Sequence, residues 1–270
     1  EVDYIIYAPN SSIKDFSAFT SLKAVLNLWA GVEDVVKNKT LKVPLARMVD
    51  EGLTQGMKEW VLGHVMRHHL GTDLHVFGQD GQWRDWSAPP LAKNRSVTVL
   101  GLGALGAQCA KTLSNIGFKV NGWSQSKKLI ENVICYYGSD GLEKSLKDAE
   151  IVVLLLPATN ETENIINQKT INYLPNKAVI INPGRGPLID EEALLKGIEN
   201  GKIGHATLDV FREEPLPENH VFWAHPKITV TPHIASETRP ETASKVIATN
   251  IDRFEKGQPL LNQVAFKAGY

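Results

Sequence analysis

Apolar and polar positions follow two regimes along the chain, and the change comes near residue 90. Before it, short apolar runs alternate with helical spacing. Val2-Asp3-Tyr4-Ile5-Ile6-Tyr7 is strand-like, and Leu22-Lys23-Ala24-Val25-Leu26-Asn27-Leu28 reads as a buried strand. Ala30-Gly31-Val32-Glu33 then reads as the turn into a helix. From Gly56 to Leu70 the residues Met57, Trp60, Val61, Val65 and Met66 recur at the spacing of one helix face. The segment from Gly78 is polar and aromatic and ends in Pro89-Pro90, a boundary signal.

Beyond that pair the alternation becomes regular. Strands are expected at Val97–Leu100, Lys119–Trp123, Ile151–Leu156, Ala178–Asn182, Ala206–Val210 and Ile228–Val230. Helices are expected at Ala104–Ile116, Leu142–Ala149, Asp190–Asn200 and Thr238–Lys256. Strands that alternate with helices, and that are apolar without interruption, belong to a parallel sheet covered on both faces. The expected class is therefore α/β, with a Rossmann-type doubly wound parallel sheet in the second part.

Composition adds limits. A chain of 270 residues suggests two domains, and 43% hydrophobic with 22% charged residues suits a packed core. The formal net charge of -1 gives no sign of a nucleic-acid partner, and no stretch has the length of a membrane span. The two cysteines, Cys109 and Cys135, form no disulfide framework, which points to a reducing compartment such as the cytoplasm.

Gly101-Leu102-Gly103-Ala104-Leu105-Gly106 is a G-x-G-x-x-G run between a strand and a helix. Alone it could be a plain glycine turn. In this context it suits a pyrophosphate: the tight turn at Gly101, close approach at Gly103, and helix–strand packing at Gly106. An NAD site would carry Asp or Glu at the end of the next strand. Here the segment is Gly122-Trp123-Ser124-Gln125-Ser126-Lys127-Lys128, with hydroxyls and ammonium groups instead. NADP(H) is the expected cofactor, with NAD(H) as the alternative. The competing view of the segment is a solvated helix start.

Three later segments follow strands, where a doubly wound sheet opens to ligands. Asn182-Pro183-Gly184-Arg185-Gly186 holds an arginine suited to a carboxylate, or to a surface ion pair. Asp209 to Pro215 contains Glu214, and Thr231-Pro232-His233-Ile234-Ala235 contains His233. Each alone is commonly structural. Together they suggest a carboxylate–imidazole pair able to keep a general acid protonated. His64, His68 and His69 lie close together on a helix, but no third ligand with a reason to bind metal is evident, and no metal is expected.

These runs resemble the D-isomer-specific 2-hydroxyacid dehydrogenase family, and within it the glyoxylate/hydroxypyruvate reductase A group. The matching stretches are 181–190, Leu208-Asp209-Val210-Phe211, Glu214-Pro215-Leu216-Pro217, Thr231–Ala235 and Ala268-Gly269-Tyr270. The resemblance implies NADPH-dependent reduction of a small 2-oxo acid by a homodimer. Arg185, Glu214 and His233 would be catalytic. The cofactor would meet Gly101, Gly103, Ala104, Leu105, Gly106, Ser124, Gln125, Ser126, Lys127, Leu156, Pro157, Asn182, Gly184, Asp209, His233 and Ala235. The substrate would meet Trp29, Ala30, Gly31 and Arg185, with Trp86 reaching in from a second subunit. A flavodoxin-like α/β substrate domain, shortened at its N-terminus, would comprise residues 1–89 and 236–270, and the dinucleotide domain 90–235. Trp29 stands where the family often has a small residue, and Gln125 where it usually has Arg. Two other outcomes share the fold: a nucleotide-sensing corepressor-like protein, and an oxidative, NAD-dependent phosphoglycerate-type dehydrogenase.

Overall fold

The structure is a computed structural model that describes residues 1–85 and 88–266. The chain divides into two compact units. The first joins Glu1–Gly56 to Ser236–Tyr270, and the second is Met57–Ala235.

The first unit is built on a parallel sheet of β1 (Tyr4–Tyr7), β2 (Ala24–Asn27) and β3 (Leu45–Ala46), in that order. The buried run in β2 serves two cores, because successive side chains leave opposite faces of a strand. Val25 joins Ile5, Phe16, Val32, Val35, Leu41 and Leu45 on one face. Ala24 and Leu26 join Met48, Ala243, Ile247 and Leu260 on the other. The latter core brings in α8 (Pro240–Glu255), which starts with proline in its first turn, where the missing N–H has no helical partner to lose.

The helix expected at Ala30–Glu33 does not form; the stretch is a turn. Its carbonyls are already occupied. Trp29 O accepts from Met48 N and from Asn27 Nδ2, and Gly31 O accepts from Asn27 Nδ2. Neither is left to start an α-helical ladder.

The second unit is a seven-stranded, all-parallel sheet. Its strands are β4 (Ser96–Leu100), β5 (Lys119–Ser124), β6 (Ile134–Tyr137), β7 (Ile151–Leu154), β8 (Ala178–Asn182), β9 (Ile203–Leu208) and β10 (Ile228–Val230). The order β10-β9-β8-β7-β4-β5-β6 reverses direction between β4 and β7, the switch point of a doubly wound fold. Both faces are covered. Val97, Val99, Val153 and Ile181 pack with Cys109, Ala110 and Leu113 of α3 (Ala104–Ile116). Val152, Leu154, Ile180 and Leu208 pack with Leu146, Ile171, Leu194 and Ile198.

Three differences from the sequence pattern are local. α1 runs Glu51–Leu70, and its Met57, Val61 and Val65 belong to the same core as Val97 and Val99. The compact division therefore falls at Gly56 and not at Pro89-Pro90. β9 begins three residues before Ala206, because Gly204 and His205 disguise its start. β6 is an edge strand with Ile134 and Tyr137 exposed, so no buried run announces it.

Candidate active site

The glycine loop makes the tight turn and the close helix–strand packing that its spacing suggests. Gly101 has φ +104°, in the left-handed region open to glycine. A Cβ on Gly106 would lie 1.8 Å from the carbonyl oxygen of Gly101, so α3 can approach the strand end only without a side chain there. A Cβ on Gly103 would meet nothing within 4 Å. Gly103 caps α3, so the helix's first N–H groups, with Ala104 and Leu105, begin at an open position with the positive end of the helix dipole.

At the end of β5 the side chain of Ser124 is buried and its Oγ donates to Ser126 O at 2.7 Å. Gln125, Ser126, Lys127 and Lys128 follow, all exposed. The strand thus ends on a hydroxyl with two ammonium groups beyond it and no carboxylate between. Leu156 is buried after β7, and the neighbouring Pro157 carbonyl accepts from Thr162 Oγ1 at 2.6 Å.

The loop after β8 is shaped by Asn182, which is fully buried. Its Oδ1 accepts from Gly184 N at 3.1 Å and its Nδ2 donates to Arg185 O at 2.9 Å. One side chain thereby folds the backbone that carries the arginine. Arg185 Nη1 donates to Gly184 O at 2.7 Å.

His233 and Glu214 meet as expected, with Nδ1 2.7 Å from Oε2. The other carboxylate oxygen of Glu214 accepts from Phe211 N at 2.9 Å, so the carboxylate is aimed from its own loop. The hydrogen bond to Glu214 holds the His233 imidazole above its ordinary pKa, against partial burial and the Arg185 charge. Glu214 is held below the usual carboxylate range: burial pushes it up, but the bonds from His233 and Phe211 outweigh burial. With Nδ1 engaged, Nε2 is the ring nitrogen left for chemistry.

Asp209 is fully buried at the end of β9. Its carboxylate accepts from Thr231 Oγ1 (2.5 Å), Ile234 N (3.0 Å) and Ala235 N (2.8 Å). It thus anchors the loop around His233. Three donors compensate the buried charge.

Sequence reasoning missed several participants. Arg212 clamps two loops: its guanidinium donates to Ile189 O at 3.0 Å and Pro187 O at 3.3 Å, bonds Asn164 Oδ1, and pairs with Glu163. Two of these four acceptors are main-chain carbonyls, which leave no mark in a sequence. In the first unit, Arg47 lies just past β3, its charge disfavoured by burial and supported by Glu33. Trp29 is partly exposed and precedes the turn at Ala30-Gly31, which lies at the end of β2. His68 Nε2 lies 2.8 Å from Thr207 Oγ1, and its ring lies against that of His205. Trp86 and the terminal Ala268-Gly269-Tyr270 lie outside the described residues.

Comparison with known proteins agrees with this geometry. Residues 61–235 match the model of the D-isomer specific 2-hydroxyacid dehydrogenase NAD binding domain. The chain is 40% identical over 260 residues to glyoxylate/hydroxypyruvate reductase A of Photorhabdus laumondii, covering 93% of this chain and 82% of that one. It is similar to the crystal structure of a D-isomer specific 2-hydroxyacid dehydrogenase from Xanthobacter autotrophicus Py2 in complex with NADPH and MES. That match has 40% identity and a TM-score of 0.92, and covers 100% of this chain and 86% of that one. An NADPH-dependent glyoxylate/hydroxypyruvate reductase from Sinorhizobium meliloti, crystallised with NADP and sulfate, gives 36% identity and a TM-score of 0.93 with the same coverage. A glycine loop at a switch point, an acid-ending histidine pair and matches of this length together mean that the chain belongs to the D-isomer specific 2-hydroxyacid dehydrogenase family.

Proposed function

We propose that the protein reduces a small 2-oxo acid of the glyoxylate or hydroxypyruvate kind to the 2-hydroxy acid, with NADPH as the preferred reductant. The carrying observation is the His233–Glu214 pair at 2.7 Å, which holds the imidazole above its ordinary pKa within the loop that Asp209 anchors. The names of the Photorhabdus and Sinorhizobium relatives support the same substrates.

The residues present fit a dinucleotide phosphate. Gly103 leaves room for a pyrophosphate at the α3 N-terminus, and Ser124, Lys127 and Lys128 suit a 2′-phosphate better than a bare ribose. Gln125, Ser126, Leu156, Pro157, Asn182, Gly184 and Ala235 complete the loops that would hold it. Bound there, NADPH supplies the hydride. Arg185 binds the substrate carboxylate and polarises the 2-oxo group. His233 Nε2 donates its proton to the oxygen at C2 as negative charge develops there. Glu214 keeps that imidazolium protonated and aimed. In the first unit, the N–H groups of Ala30 and Gly31 bind a carboxylate, and Trp29 contacts the substrate. The first unit is then the substrate-binding domain and the second the dinucleotide domain.

Assay of NADPH and NADH oxidation with glyoxylate, hydroxypyruvate and pyruvate tests the proposal. Faster NADPH use with the first two is expected. Absence of turnover with all three, while NADPH still binds, would favour a nucleotide-sensing protein.

We also propose a homodimer. The short helix α2 (Thr72–Phe77) has no buried residue, and Phe77 and Trp83 are 78% and 91% exposed. Such apolar exposure suits an interface with a second copy. Light scattering should give twice the chain mass of 29.8 kDa. The cytoplasm is the proposed location, in keeping with two unpaired cysteines.

A further inference from the structure

Strand β2 is buried at all four positions, and its last residue is polar. Asn27 is 1% exposed, yet only half of its amide is satisfied: Nδ2 donates twice, while Oδ1 is buried with no donor among the described residues. An apolar residue would pack at this place without an orphaned oxygen, and such groups in native folds call for a reason.

The two bonds made by Nδ2 supply one. They run to Trp29 O at 2.8 Å and to Gly31 O at 2.9 Å, and Met48 N adds a third bond to Trp29 O at 3.1 Å. The peptides here are trans, so each N–H points opposite to the carbonyl of its own plane. Drawing Trp29 O toward Asn27 turns the N–H of Ala30 the other way. The same hold on Gly31 O fixes the Gly31–Val32 peptide, so the Ala30–Gly31 peptide lies between two tied neighbours. Neither Ala30 N nor Gly31 N donates to an acceptor among the described residues. Two successive N–H groups without an acceptor, in a turn whose flanking carbonyls are tied back, suit an anion-binding concavity.

We propose that Asn27 is a positioning residue, its buried amide aiming the Ala30 N–H directly and holding the peptides on either side of the Gly31 N–H, so that this turn meets the substrate carboxylate. This rests on the carboxylate-binding role given above to Ala30 and Gly31. Asn27 touches no substrate atom; it acts through the turn.

Asn27→Leu keeps the size of the side chain and removes the orphaned oxygen, so the variant is expected to fold and to melt no lower than the parent. KM for glyoxylate and hydroxypyruvate should rise about tenfold or more, the worth of a misdirected bond to a charged group, while kcat changes less and KM for NADPH stays fixed. In ¹⁵N-labelled protein saturated with NADP⁺, titration with oxamate should shift the Ala30 and Gly31 amides of the parent, and do so only at about tenfold higher oxamate in the variant. If those amides do not respond in the parent, the carboxylate role of the turn fails, and the inference with it. If they respond in the parent and the folded variant keeps both its KM and its oxamate affinity, the turn binds the carboxylate and Asn27 does not aim it. A lower melting temperature with unchanged KM marks Asn27 as structural only and likewise overturns the inference.

Discussion

His233 hangs from the backbone of Asp209, its N–H donating to the Asp209 carbonyl at 2.8 Å. The Asp209 carboxylate meanwhile takes the next two N–H groups of the same loop. His233 has φ +54°, a left-handed conformation that costs a non-glycine residue roughly 1–2 kcal/mol. Asp209 is what holds it there. Asp209→Asn keeps the shape but turns one acceptor into a donor facing N–H groups. It should lower kcat by about 100-fold, the effect of displacing a reacting group by an ångström. It should also destabilise the fold by about 1–3 kcal/mol, readable by denaturant titration.

The Glu214 bond raises the pKa of His233. Reduction needs the protonated ring, so the parent should stay active to higher pH than a free imidazole allows. Glu214→Gln removes the carboxylate charge and lowers that pKa. The alkaline limb of the kcat/KM profile for reduction should move to lower pH, and the acidic limb for oxidation, which needs the neutral ring, should move the same way. Identical profiles for parent and variant would mean that another group donates the proton.

Ser124 ends β5 where a ribose-binding acid would stand. Ser124→Asp should repel a 2′-phosphate and accept from a 2′-hydroxyl. The ratio of kcat/KM for NADPH over NADH should fall by about tenfold or more, the worth of one charged hydrogen bond. A ratio near one in the unmodified protein would remove the basis for the NADPH preference.

The rings of His68 and His205 lie 4.9 Å apart at a tilt of 48°, and their pKa values are pushed down to about 3 and about 4, chiefly by burial, with Arg67 adding repulsion and Asp73 opposing it. Both are neutral in the folded chain at pH values where an unfolded histidine, at 6.5, already binds a proton. Stability is therefore fully present above about 6.5 and declines as pH falls toward about 3. Melting temperature against pH should show that decline, and His68→Gln should flatten it. A slope unchanged in the variant would place the acid sensitivity elsewhere.

The central strands were legible because their signal is strong. Ile151–Leu154 and Ala178–Asn182 are buried on both faces, so they read as continuous apolar runs. The glycine loop and the Glu214–His233 pair were legible because each needs a particular residue type at a fixed offset from a strand end. What escaped has a weaker imprint. β6 lies at an edge and exposes Ile134, so burial placed no demand on its sequence. The helix Gly138–Leu146 begins at Gly138 rather than at Leu142, because Gly138-Ser139-Asp140 looks like a turn. Arg212 and Asn27 act on main-chain carbonyls, whose positions only the folded backbone defines.

The two units also differ in when they can exist. Met57–Ala235 is one unbroken stretch, whereas the first unit closes its cores with Ala243, Ile247, Leu260 and Val264. On a ribosome moving at roughly 5–20 residues per second, about 10–40 s separate the two halves of that unit. Through that interval β3 lacks its bridge to Gln263, and Leu26 and Met48 lack their covering helix. The opening stretch of the chain must therefore be held soluble while the later-made sheet folds ahead of it, which makes nascent-chain handling, more than final stability, the stage at which substitutions in α8 would reduce yield.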